Sequence, residues 1–293
     1  MAAIKTEGLT KFYGKARGID NVSLTVEKGE FFGFIGPNGA GKSTTIRSLL
    51  GLIRPTSGSA RVLGLDIAKN REEILARVGY MPSEATLYPG MRVNDVLKFS
   101  ADLRGKDCRD AASRLCAELQ LDMRRKIGEL SFGNRKKVAI VCALQHNPEL
   151  LILDEPTSGL DPLMQKAFFD ILRERNHAGT TVFLSSHVLS EIQHNCTRAA
   201  IIREGRIIAC DSVAELSKTS AKRIGLQGKV DLGALAGVRD IQTSAGGVSF
   251  LYSGDMNALL AVLSGGDIRD LSISEPDLEE IFMHYYEDGG AEK

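Results

Sequence analysis

The run Gly36-Pro37-Asn38-Gly39-Ala40-Gly41-Lys42-Ser43-Thr44 combines three glycines with a lysine and two hydroxyls. Glycines let backbone N–H groups turn inward, and a helix that starts at the end of such a run adds its N-terminal dipole to an anion cradle. The order fits G-x-x-x-x-G-K-[ST], in which Lys42 reaches the β- and γ-phosphates of a nucleotide and the Ser43 hydroxyl sits on Mg²⁺. A second pair stands at the end of "LLILDEP" (150–156), where Asp154 and Glu155 are adjacent carboxylates. Open α/β sheets bind ligands at the carboxyl ends of their strands. Two like charges there are costly unless a cation offsets one of them. Asp154 as orienter of Mg²⁺ and Glu155 as the base that polarises a water would give metal-assisted phosphoanhydride hydrolysis. The plainer alternative is a solvated strand end.

Such side chains need a scaffold, and the flanking sequence supplies one. "FFGFI" (31–35) predicts a buried strand running into the glycine-rich turn, and residues 44–52 have helical spacing. "LLILD" (150–154) and "TVFLSSH" (181–187) predict two further buried strands, with a helix over 163–175 between them. Strand–helix–strand alternation predicts a parallel sheet with helical crossovers. Residues 1–30 alternate apolar and polar, as antiparallel strands do, with turns at Gly14 and Lys28-Gly29. A short strand and a charged helix are expected over 60–79, mostly helix over 91–121, and a hairpin over 199–211 turning at Glu204-Gly205. Beyond about residue 216 the texture changes to short alternating pieces around a helix, "MNALLAVL". A last helix is expected over 276–286, with Ser274 and Asp277 spaced like a capping box. The division expected is 1–215 for the nucleotide-binding part and 216–293 for a small accessory α+β domain.

Composition narrows the function classes. Lys plus Arg equals Asp plus Glu, 37 each, so there is no basic excess for coating nucleic acid, and no nucleic-acid partner is expected. The five cysteines include no C-x-x-C pair, which suits reduced thiols. His187 and His194 are seven apart, not the i,i+4 spacing of a helical metal pair, so no zinc is assigned. No apolar run approaches the ~20 residues that span a bilayer. The chain is expected not to cross a membrane by itself.

With these motifs in their order, the sequence resembles the ATP-binding-cassette (ABC) ATPases over about residues 3–215. "LSFGN" (130–134) looks like that family's signature motif, "SGLD" (158–161) like its D-loop, and "SSH" (185–187) like its switch-histidine segment. "EPDLEEIFMHYY" (275–286) resembles the tail of ATPases serving ABC-2-type permeases. The fold class implied is α/β: a P-loop NTPase with an antiparallel β subdomain, a helical signature subdomain over about 84–146, and the small C-terminal α+β domain. The resemblance implies an ATP-hydrolysing subunit using ATP and Mg²⁺, with Ser43 and Asp154 at the metal and Glu155 and His187 catalytic. It also implies residues 36–44, Tyr13, Ser131, Gly133 and Asp161 around nucleotide, with Tyr13 stacked on adenine. Ser131 and Gly133 would serve the ATP of a second subunit, so a dimer of cassettes is implied, here two copies of this chain. Separate integral-membrane permease subunits, those of an ABC-2-type exporter, are implied as partners, which would hold the protein on the cytoplasmic face of the membrane. A soluble ABC ATPase acting on ribosomes or nucleic acid is the alternative. A P-loop kinase is disfavoured by "LSFGN" and "SGLD".

Three residues depart from the family pattern. Phe132 and Asn134 replace a Gly and the Gln of the signature, while Ser131 keeps an N-cap hydroxyl and Gly133 keeps close backbone approach. Ser83 stands where the family has a glutamine that reaches metal and water, and a serine is too short to do so except through a bridging water. Plainer roles stay open for three others: a helix cap alone for Ser131, a strand-end cap for His187, and sheet packing for Tyr13. Finally, "YMPSEATLYPG" (80–90) carries apolar side chains on a stretch broken by two prolines, and a loop is expected there. In the family this loop lies beneath the permease, which makes about Ser83–Met91 the expected contact. The other possibility is that Leu87 and Tyr88 merely pin the loop near Val96 and Phe99.

Overall fold

The structure is a computed structural model, and it describes residues 2–216, 222–230, 232–233, 235–244 and 247–274. The helix expected over 276–286, with its capping box, lies outside the described residues. The chain divides into two units, Met1–Val213 and Ala214–Lys293.

Two long strands, β1 (Ala2–Tyr13) and β2 (Ala16–Glu27), pair antiparallel through the turn at Gly14. The apolar run β3 (Phe31–Ile35) is buried throughout and is followed by helix α1 (Lys42–Leu49). Then come β4 (Ser57–Val62), the two-residue β5 (Leu65–Asp66), α2 (Arg71–Arg77) and β6 (Val78–Met81). Helices α3 (Val93–Asp102), α4 (Arg109–Glu118) and α5 (Phe132–Leu144) form a helical region. The chain returns as β7 (Leu150–Asp154), α6 (Pro162–His177), β8 (Thr181–Ser186), α7 (Leu189–Asn195), β9 (Arg198–Arg203) and β10 (Arg206–Ser212). The single turn α8 (Val213–Leu216) follows.

Six strands make the central sheet in the order β10-β9-β3-β8-β7-β6, parallel from β9 to β6 and antiparallel at the β9–β10 hairpin. β3, β7 and β8 are buried along their whole length, which is why they read as unbroken apolar runs rather than alternating ones. Phe183 of β8 lies 5.9 Å from the Phe32 ring and 5.3 Å from the Phe34 ring, locking the middle of the sheet. The other sheet of this unit, β2-β1-β4-β5, packs its alternate apolar residues, among them Ile4, Val22 and Leu24, into the same core as Phe34, Ile46 and Leu49.

One expectation changes. Tyr80 and Met81 are not loop: they end β6, which pairs with β7 alone at the sheet edge, and Met81 is fully buried. Pro82 stops the strand there, since it has no N–H for the ladder. The mostly helical stretch expected over 91–121 holds two helices, α3 and α4, parted around Gly105.

The second unit has a four-stranded antiparallel sheet, β12-β13-β11-β14, from β11 (Lys222–Lys229), β12 (Val238–Ser244), β13 (Gly247–Tyr252) and β14 (Asp267–Ser274). Helix α9 (Met256–Ser264) covers it, with Leu259 and Leu263 packed against Ile224, Phe250 and Tyr252. Among the described residues, no helix is long and apolar enough to cross a membrane.

The helical region carries a pH-sensitive contact. His146, buried just past α5, has Nε2 3.3 Å from the Val78 carbonyl oxygen. Burial, with Arg104 and then Lys106 nearby, pushes its pKa from 6.5 down to about 4. Between those values the unfolded chain binds more protons than the folded one, so stability falls as pH drops from about 6.5 to about 4. Melting temperature measured across that window should decline in the wild type and decline less in His146→Gln. Equal slopes would assign the acid sensitivity to other groups.

Candidate functional site

The parallel register decides which residues meet. Ile35 is level with Ser186, and Asp154 with Ser185, so the carboxyl ends of β3, β7 and β8 open onto one place. From β3 comes the turn at 36–41. Gly41 is the N-cap of α1 with φ +108 and supplies no side-chain cap, so no side chain occupies the first-turn N–H groups. A Cβ at Gly36 would stand 2.4 Å from the Ile202 carbonyl oxygen. The Ala40 carbonyl accepts from Gly205 N–H at 2.8 Å, so the β9–β10 turn props the loop from behind. A loop of left-handed glycines ending in an uncapped helix start fits phosphate.

Lys42 is only 6% exposed. Its ammonium donates to the carbonyls of Gly36 (2.6 Å) and Pro37 (3.2 Å) and lies 3.1 Å from Glu155 Oε1. The last contact is an ion pair, and Oε1 makes no hydrogen bond. Asp154, at 1% exposure, accepts from Ser43 Oγ on one oxygen and from Ser185 Oγ on the other, both at 2.7 Å. A hydroxyl and a carboxylate so close are hard oxygen donors that fit a magnesium ion, which takes one or two protein oxygens and keeps the rest as water and phosphate.

Glu155 has φ +49, a left-handed backbone uncommon outside glycine. Its N–H donates to the Ser185 carbonyl (3.0 Å), and its carboxylate oxygen Oε2 lies 2.6 Å from His187 Nδ1. His187 is therefore gathered to the carboxylate, with Nε2 left for another partner. Behind it, Ser186 Oγ takes the Val188 N–H at 2.9 Å and donates to the buried Glu191 carboxyl at 2.8 Å. Burial raises the pKa of Glu191, against the hydrogen bonds of Thr157 and Ser186.

Tyr13 is brought to the same place through Gly18: a Cβ there would lie 2.9 Å from Tyr13 Cε2 and 3.0 Å from Thr44 Cγ2. The ring is half exposed, with Lys11 Nζ 5.2 Å from its centre. Ser131, Gly133 and Asp161 are placed apart. Ser131 caps α5 by accepting from Asn134 N–H (3.3 Å), and Asp161 caps α6 by accepting from Met164 N–H (3.0 Å). A Cβ on Gly133 would stand 2.8 Å from the Gly159 carbonyl oxygen, and one on Gly159 would stand 2.4 Å from the Phe132 ring. The two motifs thus form one patch. Among the described residues, no hydrogen bond or ion pair joins that patch to the 36–44 turn.

The stretch from Ser83 to Met91 leaves β6 over the surface, with Leu87 half-buried and Tyr88 67% exposed. Reading the motifs did not single out Ser185, Gly18 or Lys136. Ser185 sat in "SSH" as an unused neighbour of the histidine. Gly18 and Lys136 had no local signal, because Gly18 acquires its role only across the β1–β2 hairpin and against Thr44, and Lys136 only at Ser83 and Glu155.

The family profile described as ABC transporter matches residues 19–158. The chain is 35% identical to the bacitracin transport ATP-binding protein of Bacillus licheniformis, over 96% of each chain. It is 33% identical to the daunorubicin/doxorubicin resistance ATP-binding protein of Streptomyces peucetius, over 96% of this chain and 91% of that one. A solved ATP-binding subunit of an ABC transporter is similar at 30% identity and TM-score 0.70, covering 73% of this chain and 91% of its own.

The glycines of the turn separate under substitution. Gly36→Ala forces the loop off Ile202 and should weaken ATP binding by more than about tenfold, ~1.4 kcal/mol. Gly39, at φ +80 with open space around its missing Cβ, should cost only backbone strain of about 1–2 kcal/mol in stability when changed to Ala. Nucleotide titration and thermal melts of both variants test this. Equal loss of affinity would mean that loop shape, rather than contact with Ile202, sets binding.

Proposed function

This chain belongs to the ABC transporter family as an ATP-binding, ATP-hydrolysing subunit, and on that premise we propose that it drives a separate ABC-2-type export permease by ATP-dependent closure of two cassettes. The observation that carries this reading is a half-site. Lys42, Ser43, Asp154, Glu155 and His187 converge on one spot, while the signature serine, Ser131, shares no bond with that spot. A second copy of the chain, apposed head to tail, completes each site with its own Ser131 and Gly133. Export is supported by relatives of nearly full length, named for bacitracin transport and for daunorubicin/doxorubicin resistance. Those names give no support to a ribosome- or nucleic-acid-directed role. The permease holds the protein at the cytoplasmic face of the membrane.

Within the closed site, Tyr13 stacks on adenine through its π-face. The backbone N–H groups of 36–44 and the Lys42 ammonium hold the phosphates. Ser43 and Asp154 would hold magnesium, which when bound would supply charge neutralisation at the phosphates. Glu155 orients and polarises the attacking water. His187 aligns the Glu155 carboxylate through Nδ1 and offers Nε2 to the γ-phosphate. Asp161 keeps the D-loop turned toward the partner by capping α6. Loop Ser83–Met91 meets the permease, with Leu87 and Tyr88 as anchors.

Two tests address these assignments. Glu155→Gln should bind ATP normally, lose about 10²–10⁴-fold in hydrolysis, and run as a dimer on gel filtration with ATP and Mg²⁺. Adding Ser131→Arg should return it to monomer with ATP still bound. Unchanged turnover in Glu155→Gln would remove that residue from the chemistry. For the loop, Leu87→Ser with Tyr88→Ala should leave melting temperature and ATP affinity nearly unaltered while releasing the protein from permease-containing membranes. A large fall in melting temperature with membrane association retained would instead make these side chains internal pins.

A further inference from the structure

Lys136 lies one turn inside α5 and is 3% exposed. Its ammonium donates to two backbone carbonyls distant in sequence, Ser83 at 2.9 Å and Glu155 at 2.7 Å. A charge in such a place is expensive, and a methionine of similar length would fill the space without the desolvation cost. Burial pulls the pKa of Lys136 down, with Glu155, Asp154 and Glu84 acting in the opposite sense. Packing alone does not explain a lysine here.

The two carbonyls explain it. Glu155 sits at φ +49, where a residue with a side chain persists only when its surroundings hold it. Its N–H is tied to Ser185, and its carbonyl to Lys136. With both backbone groups fixed, the side chain is aimed so that Oε2 meets His187 and Oε1 faces Lys42. The other carbonyl opens the 83–91 loop, immediately after the proline that ends β6. One buried ammonium therefore bridges the loop and the backbone that aims the carboxylate. A loop displacement of a few tenths of an ångström lengthens or bends one of its bonds and is felt at the other.

We propose that Lys136 is a positioning residue that couples the 83–91 loop to the aim of the Glu155 carboxylate, so that movement of the loop sets the rate of hydrolysis. The proposal rests on the reading of Glu155 as the water-polarising group and of the loop as the permease-facing segment.

The test uses the full chain. Lys136→Met should lower kcat about tenfold or more with KM for ATP changed less than about twofold. Lys136→Arg, whose fork still reaches both carbonyls, should keep about a third or more of the rate. Hydrogen exchange supplies a readout independent of turnover. In Glu155→Gln, ATP should alter amide exchange both in 36–44 and in 83–91. In Glu155→Gln with Lys136→Met, the change in 36–44 should persist and that in 83–91 should vanish. A merely structural role would blunt both together. Wild-type kcat in Lys136→Met, or an undiminished response of 83–91, overturns the proposal. If Lys136→Met does not fold, Lys136→Gln, one bond too short to reach both carbonyls, carries the same predictions. Wild-type turnover in Glu155→Gln would instead sink the reading of Glu155, while the exchange comparison still reports on the coupling.

Discussion

The level pairing of β3, β8 and β7 is the constraint on which the site depends. Because these strands run parallel and in step, their carboxyl ends present three segments at one height: the turn after Ile35, the pair Asp154-Glu155, and Ser185 to His187. A slip of one residue in β7 would turn Asp154 to the other face of the sheet and separate it from Ser43. The register is in turn held by apolar packing. Phe32, Phe34 and Phe183 touch across β3 and β8, and strands buried on both faces cannot slide without exposing large side chains.

On that frame the site concentrates charge that an apolar core would not tolerate. Asp154 is almost fully enclosed, and its cost is met by two hydroxyl donors, Ser43 and Ser185, one for each oxygen. Glu155 lies between the Lys42 ammonium and the His187 ring, and its own backbone carbonyl binds a second buried ammonium, Lys136. Every charged group here has at least one partner from a different segment of the chain. Removing one partner leaves a buried charge with fewer contacts, so a substitution at one of these groups is felt at its neighbours as well as at its own position.

Much of this was legible in the sequence. The glycine-rich turn, the buried strands and Asp154-Glu155 are local patterns, and each falls in the element its neighbours predict. The errors have local causes too. Tyr80 and Met81 look like the start of a loop because Pro82 follows them, yet four residues suffice for an edge strand paired on one side. What could not be read is non-local. Ser185 becomes meaningful only when β8 lies beside β7, Gly18 only when β2 passes the start of α1, and Lys136 only when α5 packs near both Ser83 and Glu155. No periodicity encodes those meetings. In the second unit, alternation predicted strands around a helix, but nothing in the pattern gave the order β12-β13-β11-β14.

The departures from the signature pattern take on a physical sense from the same packing. Phe132 lies over Gly159, and Gly133 abuts the Gly159 carbonyl, so signature and D-loop touch directly. The half-exposed Phe132 ring lies against Gly159 and adds a side-chain contact between the two turns that a glycine at 132 would lack. The same helix, α5, carries Ser131 at its cap and Lys136 one turn further in. A rigid helix of this length moves as a body, so a tilt that shifts its cap also shifts the ammonium that holds Glu155. The serine cap of α5 and the ammonium that binds the Glu155 carbonyl are thereby carried on one element. Under the proposed function, closure would reach the Glu155 backbone through this helix without a separate relay.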